Sequence, residues 1–125
     1  MAETIQRGTI VWAEISDPNG QNAKLRPAIV LSTQPHIDAR HDLVVAAITT
    51  DFVHPLPSGW FAIPTMPGGH EITGLDQACV VKATWLKQVP QTQVRAIKGR
   101  APSRVVREVL NFLAQRHNSL KDFLS

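Results

Sequence analysis

The sequence has little cysteine and no long apolar run, and each absence excludes a class of protein. Cys79 is the only cysteine among 125 residues, which excludes a disulfide framework and a cysteine-based zinc site. The longest apolar runs, residues 28–31 and 43–48, fall far short of the roughly 20 residues that cross a bilayer. Residues 1–7 lack the apolar stretch of a signal peptide. We therefore expect a cytoplasmic protein with no membrane association.

The usual sequence signatures of enzymes are also missing. The chain has no GxGxxG, GxxxxGK[ST], HExxH or GxSxG motif. Its five histidines are scattered without the paired spacing of metal ligands, so we predict no metal and no cofactor. Cys79 lies in an apolar segment and is expected to be a core thiol rather than a nucleophile. Glu71 and Asp76 could form a carboxylate pair, although their spacing does not require it.

Basic side chains are concentrated towards the C-terminus. Residues 1–81 hold four Lys or Arg and eight Asp or Glu, whereas residues 82–125 hold nine and two. A basic region of this kind is typical of proteins that bind an anionic partner, most often nucleic acid. A solubilising helix face has the same composition, so charge alone leaves both interpretations open.

The first four-fifths of the chain reads as short strands separated by turns. With 43% hydrophobic and 18% charged residues, the composition is that of one globular domain, residues 1–125. Asp17-Pro18-Asn19-Gly20 is a turn signal, and the polar loop that follows is expected to run through Lys24. Apolar segments predict strands over residues 8–15, 27–32, 42–49, 59–63, 79–86 and 94–98.

The end of the chain has a helical pattern instead. Ser103 is a suitable N-cap, and apolar residues recur after it at three- and four-residue steps. This stripe consists of Val106, Val109, Leu110, Leu113, Leu120 and Leu124. The sequence therefore predicts strands over about residues 8–100 and a helix over about residues 103–124. Together they form a mainly β (α+β) domain, a small, strongly bent sheet or open barrel closed by a C-terminal helix.

Four segments give the chain a family resemblance. They are RGTIVW at residues 7–12, RPAIVLS at 26–32, VVAAITT at 44–50 and GR at 99–100, directly before the final helix. In this order and at this spacing, the segments resemble the MazF/PemK family of type II toxin–antitoxin endoribonucleases, over almost the whole chain.

The resemblance implies a fold, an activity and partners. The fold would be an SH3-like small β-barrel of the MazF/PemK/CcdB type, working as a homodimer. The activity would be sequence-specific, metal-independent cleavage of single-stranded RNA, in particular mRNA. A cognate acidic antitoxin would neutralise the toxin and take part with it in DNA binding. By motif, the central catalytic pair would be Arg26 and Thr49.

These residue types suit a ribonuclease that uses the neighbouring 2′-OH of RNA as its nucleophile. The guanidinium of Arg26 stays charged and offers a planar fork of donors, so it would stabilise the pentacovalent phosphorus. Thr49 would donate a hydrogen bond to the phosphate or orient the 2′-OH. The identity of the general base stays open.

Further RNA contacts are expected around this pair. The loop before the second strand would be mobile and hold RNA or cover the site. Phe52 and Trp60 would stack on bases, although a core position for Trp60 is equally expected. The RNA-binding residues predicted in this way are Asn19, Gly20, Gln21, Lys24, Thr50, Phe52 and Lys87.

The chain departs from the family pattern on its fifth strand. The family commonly has an acidic-Gln-apolar-basic-Ser/Thr run there, and in residues 84–89 only Lys87 keeps its basic place. Some relatives also use an aspartate or a histidine near the site, and this chain has no aspartate at the equivalent position. Two alternatives follow: a non-catalytic, CcdB-like toxin that binds a protein such as gyrase, and a non-catalytic β-barrel that binds nucleic acid.

Overall fold

The structure is a computed structural model, and it describes residues 4–116. These residues form one antiparallel sheet, two α-helices and a 3-10 turn at Gln91–Gln93. The strands are β1 (Thr9–Ile15), β2 (Lys24–Val30), β3 (Leu43–Thr49), β4 (Trp60–Ile63), β5 (Cys79–Val89) and β6 (Val94–Arg100), and the helices are α1 (Gln34–Asp38) and α2 (Ser103–Arg116). No helix within residues 4–116 is long and apolar enough to cross a membrane.

The six strands pair in the order β4-β5-β3-β2-β1-β6. Both faces of this sheet are covered, because alternate residues of the central strands enter two different apolar clusters. The helix-side core contains Ile10, Ile29, Leu31, Ala46, Ile48, Ile63, Leu75, Cys79, Val81, Ala83, Ala101, Val105, Val109 and Leu113. The opposite core contains Val11, Ala13, Ile15, Ala28, Val30, Ile37, Leu43, Val45, Ala47, Trp85 and Val89. Strand β3 supplies both cores, as its continuous apolar run predicts.

Helix α2 packs on the helix-side core through Val105, Val109 and Leu113, which are at most 1% exposed. Val106 and Leu110, from the predicted stripe, are half-buried beside them. The predicted mainly β domain with a C-terminal helix is confirmed. The predicted continuation of the stripe, Leu120 and Leu124, lies outside the described residues.

Strand β2 begins at Lys24, earlier than the predicted start at Pro27, because the whole segment from Lys24 pairs with β1. Pro27 is tolerated inside the strand since pairing with β3 starts only at Ala28, so one side of Pro27 carries no ladder. Helix α1 was not predicted. Pro35 stands in its first turn and Ile37 is buried in the opposite core, so a short helix forms within a segment that reads as loop.

Strand β5 contains a large irregularity that turns its side chains. Ala46 of β3 is opposite Leu86, whereas Ile48 is opposite Val81, so the four residues from Lys82 to Trp85 stand opposite Ala47 alone. A bulge of this kind bends the strand and changes the face on which later side chains lie. Ala83 still lies in the helix-side core with Cys79 and Val81, whereas Trp85, two residues later, enters the opposite core.

Candidate active site

A cavity of about 520 Å³ opens where the end of β3, the first half of β2 and the bulge of β5 meet. Arg26 and Thr49, the two residues predicted to be catalytic, both line it. The remaining lining residues come from β1, the β1–β2 loop, β2, the end of β3 and the segment after it, and β5 with the segment before it. They are Trp12, Asp17, Pro18, Lys24, Leu25, Pro27, Ile48, Thr50, Asp51, Leu75, Asp76, Gln77, Cys79, Lys82 and Trp85.

The Arg26 side chain is held by backbone carbonyls. Its Nε donates a hydrogen bond of 3.0 Å to the carbonyl of Ile15, and its Nη2 donates one of 3.2 Å to the carbonyl of Asn22. Arg26 is opposite Ala13 of β1, two residues before the end of that strand, so the Arg26 side chain can reach the carbonyl of Ile15. The two bonds fix the guanidinium plane and leave its other N–H groups for an anion.

The β1–β2 loop is organised around the carboxylate of Asp17. Oδ1 accepts the backbone N–H groups of Asn19 (3.0 Å) and Gln21 (2.9 Å), and Oδ2 accepts Nδ2 of Asn22 (2.9 Å). The bond from Gln21, followed by that from Asn22, lowers the pKa of Asp17 from its ordinary 3.8. Asn22 adopts a left-handed φ of 55°, which asparagine tolerates well. The segment predicted as a mobile loop thus has a hydrogen-bonded form that reaches Arg26.

Thr49 is the last residue of β3 and is half-buried. Its Oγ1 accepts the backbone N–H of Asp51 at 3.0 Å. Because accepting this bond uses a lone pair, the hydroxyl hydrogen can still be donated into the cavity. Thr50 follows, exposed and also part of the lining.

Two important lining residues, Lys82 and Trp85, are absent from the predicted set. The Lys82 ammonium lies 4.0 Å from the ring centroid of Trp60 and 5.6 Å from that of Trp85. The guanidinium carbon of Arg26 lies 4.9 Å from the same Trp85 centroid. Cations at these distances are attracted by the aromatic faces. The Lys82 contact also covers a face of Trp60, which was predicted to stack on bases or to lie in the core.

Acidic residues line the cavity as well. Asp17, Asp51 and Asp76 all line it, although we expect no aspartate at the position where some relatives have one. The third of these, Asp76, also acts on Cys79. Burial, followed by the charge of Asp76, raises the pKa of the Cys79 thiol to about 11. The free, buried Cys79 is therefore a neutral thiol at physiological pH, in agreement with the expectation of a core cysteine.

The other predicted RNA-binding residues divide into two groups. Lys24 and Thr50 line the cavity, and Asn19, Gly20 and Gln21 lie in the adjoining loop. Phe52 instead makes an edge contact with His54, with 5.6 Å between the ring centroids. Lys87 is opposite Val45 on β3, four residues from Thr49 and so roughly 13 Å along the strand. The structure does not bring Phe52 or Lys87 into the lining.

Within residues 4–116, no three or more His, Cys, Asp or Glu side chains gather in a way that could hold a metal ion. The three lining aspartates belong to separate segments, namely the β1–β2 loop and the stretches after β3 and before β5. The predictions of no metal and no cofactor stay predictions.

Solved structures share this architecture. A crystal structure of MazF from Deinococcus radiodurans superposes with a TM-score of 0.71 at 20% identity, over 94% of this chain and 99% of that one. The Mycobacterium tuberculosis toxin MazF-mt6 gives 0.66 at 16% identity, over 88% and 96%. An endoribonuclease in complex with its cognate antitoxin, from a mycobacterial species, gives 0.63 at 17% identity, over 90% and 93%. The predicted MazF-type fold is confirmed.

Sequence comparison agrees. The chain is 30% identical over 110 residues to Endoribonuclease MazF6 of Mycobacterium tuberculosis and, equally, to Endoribonuclease MazF2 of Mycobacterium bovis, over 84% of this chain and 90% of each relative. A family model described as "PemK-like, MazF-like toxin of type II toxin-antitoxin system" matches residues 6–116. The chain therefore belongs to the PemK-like, MazF-like toxin family of type II toxin–antitoxin systems.

Proposed function

We propose that the protein is an endoribonuclease toxin that cleaves single-stranded RNA at the cavity containing Arg26 and Thr49. One observation carries the proposal: Arg26 on β2 and Thr49 at the end of β3, separated in sequence by α1, line a single cavity. The relatives at 30% identity are named endoribonucleases, which supports the same activity here.

The reaction we propose needs no nucleophile from the protein. The 2′-oxygen of the ribose attacks the adjacent phosphorus, and its proton passes to a base. The bond from phosphorus to the 5′-oxygen breaks, and that oxygen takes up a proton. The products are a 2′,3′-cyclic phosphate and a 5′-hydroxyl end. Water and an external metal ion do not enter this balance.

Arg26 is suited to the charge that develops on the non-bridging oxygens. Its guanidinium is already oriented by the carbonyls of Ile15 and Asn22, so little reorganisation is needed as the negative charge grows. Thr49 donates its hydroxyl hydrogen to a phosphate oxygen or orients the 2′-OH. Lys24 and Lys82 also line the cavity, where each can contact a phosphate of the RNA backbone; with Arg26 they balance the three lining aspartates.

The partners we propose follow from the family. A cognate antitoxin, acidic and partly disordered when free, would lie across the cations of the cavity and fold on binding. The toxin would act as a homodimer in the cytoplasm, and the complex with the antitoxin would bind DNA. A mycobacterial endoribonuclease of the same fold has been solved with its cognate antitoxin, which supports this assignment.

The proposal is tested by incubating the purified protein with a long mRNA transcript in EDTA and mapping the new ends. We expect cleavage that leaves 2′,3′-cyclic phosphate ends and that stops when the ribose at the cut site is replaced by deoxyribose. Arg26→Ala should lower the rate by a factor of about 100 or more, corresponding to about 3 kcal/mol of transition-state stabilisation.

Arg95→Ala is the matched control, because Arg95 is an exposed arginine on β6 that does not line the cavity. It should cleave at the wild-type rate, and circular dichroism should show the same fold for both variants. Equal cleavage by Arg26→Ala would remove the assignment of that residue. Intact RNA together with a loss of DNA supercoiling in treated cells would instead indicate the CcdB-like alternative.

A further inference from the structure

The ring of Trp85 lies beside the guanidinium of Arg26, and we propose that Trp85 is a positioning residue for that guanidinium. This inference rests on the proposed function only in assigning Arg26 to catalysis. The contact itself is geometric: the guanidinium carbon lies 4.9 Å from the centroid of the Trp85 ring. Trp85 would act through Arg26, by holding the guanidinium in the orientation that meets the phosphate.

Two consecutive carbonyls at the end of β1 hold the pair together. The carbonyl of Ile15 accepts Nε of Arg26 at 3.0 Å, and the carbonyl of Ser16 accepts Nε1 of Trp85 at 3.0 Å. The indole and the guanidinium are therefore fixed to the same backbone segment as well as to each other. Only 6% of Trp85 is exposed, so its ring has little freedom to move away.

The bulge of β5 is what delivers the indole to this place. Strands β1 and β5 are not neighbours in the sheet, yet the Trp85–Ser16 bond joins them across 69 residues of sequence. It exists because the residues opposite Ala47 turn Trp85 out of the helix-side core and towards the cavity. A side chain delivered by a buried, irregular strand is a rigid support for a functional group.

The same ring also contacts a second cation. The Lys82 ammonium lies 5.6 Å from the Trp85 centroid and 4.0 Å from the Trp60 centroid. The electron-rich ring faces attract both cations and so favour a site in which two positive charges lie near each other. Loss of the Trp85 ring would remove this attraction from Arg26 and Lys82 together, whereas loss of its N–H alone would remove only the anchor.

Two substitutions separate these contributions. Trp85→Phe keeps an aromatic face and loses the bond to Ser16, and Trp85→Leu loses both. Because a small displacement of a catalytic group costs rate more than binding, we expect Trp85→Leu to lower kcat about tenfold or more with KM changed less than about twofold. Trp85→Phe should keep most of the rate that Trp85→Leu loses, since an aromatic ring face remains beside Arg26.

The decisive kinetic test is a double-mutant cycle with Arg26→Lys, which keeps the charge and removes the fork. If Trp85 acts through the fork, Trp85→Leu should lower kcat by less than about twofold in the Arg26→Lys background. A loss of the same size in both backgrounds overturns the proposal. Leu113→Ala is the control for stability, because Leu113 is a buried residue of α2 in the helix-side core; it should lower the unfolding midpoint and leave kcat unchanged.

A second readout needs no enzyme activity. Hydrogen exchange at Nε of Arg26, followed by side-chain nuclear magnetic resonance, should accelerate at least tenfold in Trp85→Leu and less in Trp85→Phe. Unchanged exchange in both variants overturns the positioning role. If the wild-type protein cleaves no RNA, the proposed function fails, and this exchange experiment still decides whether Trp85 positions Arg26. If Trp85→Leu does not fold, Trp85→Phe carries both readouts. Its small loss of kcat should then occur in the wild-type background only, with faster exchange at Nε of Arg26; an equal loss in both backgrounds, or unchanged exchange, overturns the proposal.

Discussion

The carbonyl of Asn22 accepts a hydrogen bond of 3.2 Å from Nη2 of Arg26, so the β1–β2 loop and the guanidinium hold each other. The side-chain amide of Asn22 donates a hydrogen bond to the carboxylate of Asp17. The shape of this loop therefore links the ionisation of Asp17 to the position of Arg26.

The first prediction concerns this link. Asn22→Gly should raise the pKa of Asp17 towards its ordinary 3.8, because it removes one of the bonds that stabilise the carboxylate. Glycine accepts the left-handed backbone of Asn22, so the change removes the amide without adding strain. The measurement is the carboxyl carbon shift of Asp17 against pH.

The pH dependence of the loop's stability follows from the same shift in the pKa of Asp17. The folded pKa of Asp17 lies below the unfolded value, so the stabilisation it gives the loop is complete above about pH 4 and is lost as pH falls through the folded pKa. The backbone amides of Asn19 and Gln21 should then exchange faster. If the Asp17 carboxyl titrates with the same midpoint in Asn22→Gly as in the wild type, the proposed link between Asn22 and Asp17 is wrong.

A second prediction concerns Lys82 and RNA binding. A cation that contacts one phosphate contributes about 0.7 to the slope of log K against log salt for a single strand. Lys82→Ala should therefore reduce this slope by about 0.7, measured by anisotropy with a non-cleavable, deoxy-substituted oligonucleotide. Lys98→Ala, an exposed lysine of β6 outside the cavity, should leave the slope unchanged. Equal slopes for wild type and Lys82→Ala would place this lysine outside the RNA path.

A third prediction concerns Cys79. With its pKa raised to about 11, only about one thiol in a thousand is ionised at pH 8, so alkylation by iodoacetamide should be slow and should accelerate up to about pH 11. Asp76→Asn should speed alkylation modestly, since it removes the smaller cause of the shift. Cys79→Ala should keep RNA cleavage, whereas loss of cleavage with the fold intact would give the thiol a role that we do not assign.

A fourth prediction concerns the crossing between β6 and the segment before β5. A Cβ on Gly99 would collide with the backbone of Ile72 and Thr73, and a Cβ on Gly74 would collide with the carbonyl of Lys98. Gly99→Ala should therefore lower the free energy of unfolding by about 1–3 kcal/mol in urea titration. A free energy of unfolding equal to that of the wild type would show that the crossing is loose.

Much of this architecture follows from local pattern. The apolar segments predict each strand of the sheet, and the three- and four-residue steps after Ser103 predict α2, because these periodicities reflect which side chains face a core. The RPAIVLS and VVAAITT segments point to Arg26 and Thr49 through the family resemblance alone. Helix α1 escapes prediction because it is one short turn with only Ile37 to bury.

What the sequence determines by itself is therefore the order of the elements, the family and the two residues named from its motifs. The tertiary structure alone decides what surrounds them. Lys82 lies at the cavity because the start of β5 pairs with the end of β3, which carries Thr49. Trp85 reaches the cavity because β5 bulges opposite Ala47, and a bulge shifts the face of later side chains without leaving a period in the sequence. Contacts such as that between Trp85 and Ser16, 69 residues apart, depend on how the sheet bends, and that bend is set by packing on both of its faces rather than by any local segment.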